Sequence, residues 1–433
     1  MGKDVRASKK SLSIIGGRLI DPFNGRDEEV DIHIAGGVIL ALGAPPLGFE
    51  AEHTISAQGL IVCPGFIDLS ARLGEPGFEQ KGSIASETAA AAKGGVTHLC
   101  CPPDSFPVVD SPAVVRLILD RTTQSGQCLV SPIGALTQGL AGEQLSEMAA
   151  LKEAGCVAVS NAWQPVKNNQ VLRRCMEYAA TFDFTLFVNA QDASLAAGGC
   201  AHEGAVATRL GLAPIPEAAE TIAVVTHLLL AEQTGIRLHF SQISSRTSAK
   251  LIAEAQLRGL AVTADVAAHQ LLLSEENIDH YSSLSHCLPP LRSQADRQGL
   301  REAIAAGVVQ AICSDHRPHE NAAKSRPFAE TEPGISSLET ILPLSLRLVE
   351  EGLLDLPAMV RRLTVGPAEV LGLKSQGLMD GESADLLVFD PEKRWRVDEN
   401  TLISAGKNTP FLGESMKGAV LATIRKGALV YQA

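Results

Sequence analysis

The sequence predicts an α/β fold: one TIM-type (β/α)8 barrel with a small β-sandwich domain assembled from both chain ends. Three observations carry this. Eight short apolar runs alternate with longer stretches whose apolar residues recur at three- and four-residue spacing, the pattern of repeated strand–helix units. Short β-like runs broken by turn glycines occupy both ends of the chain. The chain has 433 residues, whereas a single barrel takes roughly 250, so one barrel plus an appendage fits the length. The expected division is residues 1–60 and 371–433 in the sandwich and 61–370 in the barrel.

Residues 12–60 contain the runs 13–15, 18–20, 31–34 and 38–40, with Gly16-Gly17 and Gly36-Gly37 between them. The C-terminal part repeats the style at 384–390, 419–424 and 428–431, so the two ends are expected to pair. The barrel strands are expected at 60–69, 96–101, 128–133, 156–160, 185–188, 237–241, 260–266 and 309–314. Helices are expected between them, for example at 83–93, 216–233 and 248–258.

The composition, 45% hydrophobic and 20% charged, is that of a chain that buries a large core. A net charge of −12 argues against nucleic acid or an anionic membrane as partner, because both need clustered Lys and Arg. Nine cysteines stand singly apart from Cys100-Cys101, without C-x-x-C spacing, which predicts reduced, buried thiols and a cytoplasmic location. The apolar run near the start ends at Gly16-Gly17, too short for a signal peptide, and Arg6 breaks the myristoylation pattern. The longest apolar stretch, 222–231, falls short of the ~20 residues of a membrane span.

The chemistry is expected where strands end, at the C-terminal face of the barrel. The first strand runs into PGFIDLSARLGEPG at 64–77, where alternation along a strand puts Ser70 and Arg72 on one side. This segment resembles the first barrel strand of dihydroorotase-type cyclic amidohydrolases, whose frame reads PGFID-L-H-x-H-L-R-E-P-G. The resemblance implies the metal-dependent hydrolase version of the barrel. It places Ser70 and Arg72 at two zinc-ligating histidines, and Gly74 at the arginine that grips the substrate carboxylate.

Other strand ends extend the resemblance. CCPPDSFP at 100–107 puts Asp104 at a substrate-binding asparagine, and VAVSNAWQPVKN at 157–168 puts Asn161 and Ala162 where the family carries acidic residues. LFVNAQDASL and LHFSQISS put Asn189 and Gln242 at two further metal-binding histidines. LPPLRS at 288–293 puts Leu288 at an asparagine. Only CSDHRPH at 313–319 keeps the pattern, with Asp315 at the carboxylate that serves as ligand and general base, and His319 at a substrate-binding histidine. GGCAHEG at 198–204, PGISSLET at 333–340, 378–391 and NTPFLG at 408–413 carry the likeness across nearly the whole chain.

A serine hydroxyl is a weak zinc ligand, a guanidinium is a permanent cation, and Asn or Gln is poor beside imidazole. The expectation is therefore no zinc, no other cofactor and no catalysis, with Ser70, Arg72, Asn161, Asn189, Gln242 and Asp315 as vestigial metal positions. Gly74, Asp104, Leu288 and His319 are the vestigial substrate positions. The resemblance implies a non-catalytic subunit of aspartate carbamoyltransferase in pyrimidine (UMP) biosynthesis, self-associating and joined to the transferase catalytic chain in a mixed dodecamer. Two alternatives stay open: an active cyclic-amide hydrolase with a divergent metal site, and a small-ligand sensor using the vestigial pocket.

The remaining chemistry-bearing residues have plain structural readings. His98, His202, His239 and His269 are expected in packing or loop roles, Cys100-Cys101 as buried hydrophobes, and Trp163 as filler of the vacated space. The orphaned Asp315 needs a partner, and Arg72 on the neighbouring first strand is the expected one, with Asn161, Asn189 or Gln242 adding hydrogen bonds.

Overall fold

The computed structural model describes residues 11–373 and 377–433. The reading of the chain start, Arg6 included, falls on residues 1–10, outside those described.

Both termini do pair. A six-stranded sheet runs in the order Ala428–Gln432, Ser415–Arg425, Leu386–Arg396, Ile61–Pro64, Arg18–Asp21 and Arg26–Glu29. A four-stranded sheet runs Val38–Leu42, Ile32–Ala35, Leu12–Ile15 and His53–Ser56. Between them lies a core in which Ile14, Leu19, Ile34, Val62, Val388 and Ile424 are fully buried. Each such side chain contributes roughly 1.5–3 kcal/mol from loss of apolar surface.

The expected first strand is two strands. Ile61–Pro64 pairs with Leu386–Arg396 in the terminal sheet, and only Phe66–Asp68 enters the barrel. The break falls at Gly65, where a Cβ would sit 2.1 Å from the Thr97 hydroxyl. Only glycine lets the chain pass that close to the second barrel strand and change sheets.

The barrel is a run of eight strands: Phe66–Asp68, Val96–Cys101, Leu129–Ala135, Ala158–Ser160, Thr185–Val188, Arg237–Phe240, Val262–Ala267 and Ala311–Cys313. Every pairing between them is parallel. The first and eighth strands meet just beyond their ends. Ala71 bridges His316, the Arg72 amide donates to the His316 carbonyl at 2.9 Å, and the His316 amide donates to the Ser70 carbonyl at 3.2 Å. Asp68 reinforces this seam by accepting from the Ser314 amide at 2.9 Å and from the Ser314 hydroxyl.

The helices follow local rules. Ser83 caps Ile84–Lys93 in a reciprocal capping box with Ser86, and Ala90, Ala91 and Ala92 are buried. Ser245 caps Arg246–Leu257, and Ala218–Thr234 begins just after Pro216 and ends on Gly235 at φ 68°. Among the described residues no helix is long and apolar enough to cross a membrane. All nine cysteines are buried and unpaired, as the sequence suggested.

Candidate functional site

The seam places Ser70–Arg72 and Ser314–His316 side by side at the barrel mouth. Asp315 has φ 46°, a left-handed conformation, and Ala162 and Gln242 at two other strand ends have φ 47° and 51°. Such backbones cost energy in any L-residue, so three at one mouth mark a site whose side-chain directions are held by the surrounding fold.

Arg72 is the hub. Its Nε and Nη2 lie 2.9 and 2.8 Å from Asp104 Oδ2, and its Nη1 lies 3.6 Å from Asp315 Oδ1. Arg317 approaches the same Asp315 oxygen with Nε at 3.2 Å and stacks 5.3 Å above the Trp163 ring. Two cations thus alternate with two carboxylates. Burial works to raise the Asp104 pKa, but the charge and hydrogen bond of Arg72 prevail and hold it below the ordinary carboxylate value. Burial dominates at Asp315, which is raised although Arg317 and Arg72 pull it down. Burial and the facing Arg72 lower the Arg317 pKa.

The Arg72–Asp315 ion pair matches the expectation; the rest of the expected network does not. Asn161 accepts from the Thr137 hydroxyl at 2.6 Å and donates to the carbonyls of Leu140 and Gln164. Asn189 donates to the Gln242 side-chain oxygen at 2.6 Å. The Gln242 backbone N–H donates to Asp265 at 2.6 Å and its side-chain amide donates to the same oxygen at 3.4 Å, and Asp265 also contacts Cys313 and His239. None of the three amides bonds to Arg72 or Asp315. Short Asn and Gln side chains reach neighbours on adjacent strands, whereas the long guanidiniums reach across the mouth.

Trp163 also departs from expectation. It does not fill the vacated space but walls a cavity of about 450 Å³ that Arg72, Asp104, Leu288, Arg317 and His319 also line. His319 Nε2 donates to the Pro333 carbonyl at 3.1 Å, its backbone amide donates to Asn408, and burial lowers its pKa to about 3. Ser70 is buried beside the seam. Gly74 has φ 75°, and a Cβ there would stand 2.4 Å from the Gly82 carbonyl oxygen, so the backbone as it stands admits no side chain at this position.

The Dihydro-orotase-like family matches residues 59–248. A dihydroorotase-like protein of Pseudomonas aeruginosa is 52% identical over 98% of this chain and 100% of its own length. The chain belongs to the dihydroorotase-like family. A dihydroorotase of Geobacter metallireducens is 43% identical over 98% of this chain and 100% of its own. Among solved structures, the L-hydantoinase (dihydropyrimidinase) of Arthrobacter aurescens superposes with a TM-score of 0.86 at 25% identity, covering 98% of this chain and 96% of that one. The dihydropyrimidinase of Brevibacillus agri shares the fold, with a TM-score of 0.82 at 20% identity over 98% and 95%.

A dihydroorotase-like barrel implies a mouth that holds metal, and the side chains here do not fit one. The positions offer a serine, a guanidinium, two amides bonded to each other, and a carboxylate engaged by two arginines. Among the described residues no group of three or more His, Cys, Asp or Glu is placed to hold a metal ion. A dication would meet Arg72 where the family supplies neutral imidazole.

Sequence reasoning missed two members of this dihydroorotase-like site. Asp104 was read as a lost substrate anchor, yet it is the principal partner of Arg72. Arg317 was passed over, yet it is the nearer cation to Asp315. The available signal was charge compensation: a cation gained at 72 and an anion gained at 104, both at strand ends facing one cavity.

Four further histidines do not line that cavity. His98 bonds the Ser131 hydroxyl, His239 the Asp265 carboxylate, and His202 lies against Arg292. His269 is buried without a hydrogen-bond partner. Burial raises the Cys100 thiol well above its ordinary value and Cys101 to about 12, in keeping with inert packing. His316 joins Glu87 at 2.8 Å, and that carboxylate also accepts from Ser404 and Ala405, pinning the first barrel helix and the 404 loop to the eighth strand.

Proposed function

We propose that this chain is a non-catalytic dihydroorotase-like subunit, the partner of an aspartate carbamoyltransferase catalytic chain in a mixed assembly. The observation that carries the first half is Arg72: a permanent cation stands at a metal-ligand position and is tied to Asp104 and Asp315. Asp315, the carboxylate a hydrolase of this family would use as ligand and base, is engaged by two guanidiniums and is not free to polarise water. The second half rests on family resemblance together with a barrel retained over its full length.

The test has two readouts. Purified protein is expected to hold far less than one zinc per chain and to show no interconversion of carbamoyl-aspartate and dihydroorotate in either direction. About one tightly held zinc per chain, with activity lost to a chelator and restored by metal, sinks the non-catalytic reading. Deleting the protein from its native cell is expected to leave a smaller transferase particle, restored by the Asp315→Asn variant, in which the amide tolerates the left-handed backbone. An unchanged particle in the deletion removes the transferase assignment.

The cavity beside Trp163 favours a second reading, a small-ligand sensor, because the mouth stays open instead of being packed shut.

A further inference from the structure

The helix Ala218–Thr234 is apolar on both its inner and its outer side. Ala219, Ala223, Val224, Leu228 and Ala231 are buried against the barrel, while Ile222, Val225 and Leu229 on the outer side are 48%, 37% and 55% exposed. Apolar residues exposed singly are ordinary, whereas three on successive turns of one helix mark a face shaped for another surface. Thr226, which lies among them, adds little polarity, because its hydroxyl donates to the Ile222 carbonyl at 2.9 Å.

A cleft of about 660 Å³ opens beside this stripe, between the helix and Asn169–Thr181. Ile222 and Thr226 line it from one side and Leu172 from the other. The same face therefore carries a projecting side chain, Leu229, and a hollow two turns away from it. It also carries two opposite charges at its two ends. Lys167 lines the cleft and Glu232 lies near the C-terminal end of the helix; both are exposed, and neither makes an ion pair among the described residues.

We propose that this face joins a second copy of the chain, with the two Ala218–Thr234 helices antiparallel about a two-fold axis that passes between Val225 and Thr226. A two-fold contact needs each feature and its complement on one surface, and this surface has both. In that register Ile222 meets the partner's Leu229, which enters the cleft. The partner's Glu232 comes level with Ala219, at the end of the helix where Lys167 lines the cleft, and the two Val225 side chains lie together at the axis. The size also suits. A stable interface covers about 800 Å² on each partner, a patch roughly 30 Å across. The 17-residue helix is about 25 Å long. The exposed Leu195 widens the patch, since its loop is fixed to the helix: the Asp192 amide donates to the Ala219 carbonyl at 2.6 Å, and Ala196 packs with Ala219. No transferase chain takes part in this contact. Its failure leaves the mixed-assembly reading standing, and the reverse also holds.

The full chain is purified without the transferase, and its mass is followed by sedimentation equilibrium over a range of protein concentrations. The expected species has twice the 45.6 kDa of one chain. Val225→Arg brings two like charges together at the axis and should weaken the dimer about a hundredfold or more, with the circular dichroism of the chain unchanged. Lys167→Glu and Glu232→Lys should each weaken it about three- to tenfold, and the double variant should return close to the parent value. Leu257→Arg, at a residue 89% exposed on the neighbouring helix Arg246–Leu257, should change nothing. Because all nine native cysteines are buried, Val225→Cys supplies the one accessible thiol, and a mild oxidant should convert this variant to a disulfide-linked dimer. A monomer at every concentration, including one that covers this face only when the transferase is added, overturns the proposal. So does a dimer that survives Val225→Arg, a double charge reversal no tighter than its weaker single variant, or a Val225→Cys chain that does not cross-link.

Discussion

Arg72 and Asp315 face each other at 3.6 Å across the seam where the first and eighth barrel strands close, and the Asp315 side chain is almost wholly buried. The pair also depends on Asp104, which takes the other two nitrogens of the same guanidinium. Replacing Arg72 by Met is therefore expected to leave two carboxylates short of a cation. Because Asp104 is partly exposed, the cost should fall at or below the low end of the buried-pair range, about 2–3 kcal/mol. The Arg72→Met, Asp104→Asn double variant should regain part of that loss. Urea denaturation of the three variants measures the coupling, and strictly additive losses would show that the two residues do not interact.

Acid should destabilise this protein earlier than carboxylate titration alone would. Burial lowers His98 and His286 to about 4 and His269 and His319 to about 3, from an ordinary 6.5. The unfolded chain takes up these protons below pH 6.5 and the native chain does not. The stability they give is thus present above 6.5 and lost as pH falls toward 4 and 3. Asp68 opposes this, since burial raises it to about 6, so the native state holds its proton over a window where the unfolded chain has released it. Near pH 5 the unfolded state should carry about three more protons, a slope of roughly 4 kcal/mol per pH unit. Urea midpoints measured from pH 7.5 to 5 check the sign; a flat profile between about 6.5 and 5 would contradict it.

Returning the family's arginine should fail. Gly74 sits at φ 75° with the Gly82 carbonyl 2.4 Å from any Cβ, so Gly74→Arg meets both a disfavoured backbone and a clash. We expect a loss of about 2–4 kcal/mol and no gain of dihydroorotate affinity. A stable variant that binds dihydroorotate would show that the backbone there can shift.

Glu87 and His316 should prove important for folding. Both are fully buried, and the carboxylate accepts from Ser86, His316, Ser404 and Ala405. Glu87→Gln adds donors where four already converge and is expected to cost about 2–4 kcal/mol. Hydrogen exchange should locate the loosening in the first barrel helix and the 404 loop. A loss confined to one of these would break the claimed link.

The sequence by itself determined the architecture and which side chains stand at the strand ends. Alternating apolar runs specify repeated βα units because burial on both faces of a parallel strand demands continuous apolar residues. The β-rich ends pair as their shared pattern implied. The losses at Ser70, Arg72, Asn189 and Gln242 are matters of side-chain chemistry, legible from residue identity once the strand ends are aligned. Only the tertiary structure decided who partners whom. Asp104 and Arg317 lie 32 and 245 residues from Arg72, and they meet it because barrel closure brings the second and eighth strand ends to the first. The split at Gly65 was hidden for the same reason. The run Leu60–Leu69 is apolar up to Asp68, and its change of sheet is dictated by Thr97 on the neighbouring strand, a contact that no local pattern encodes.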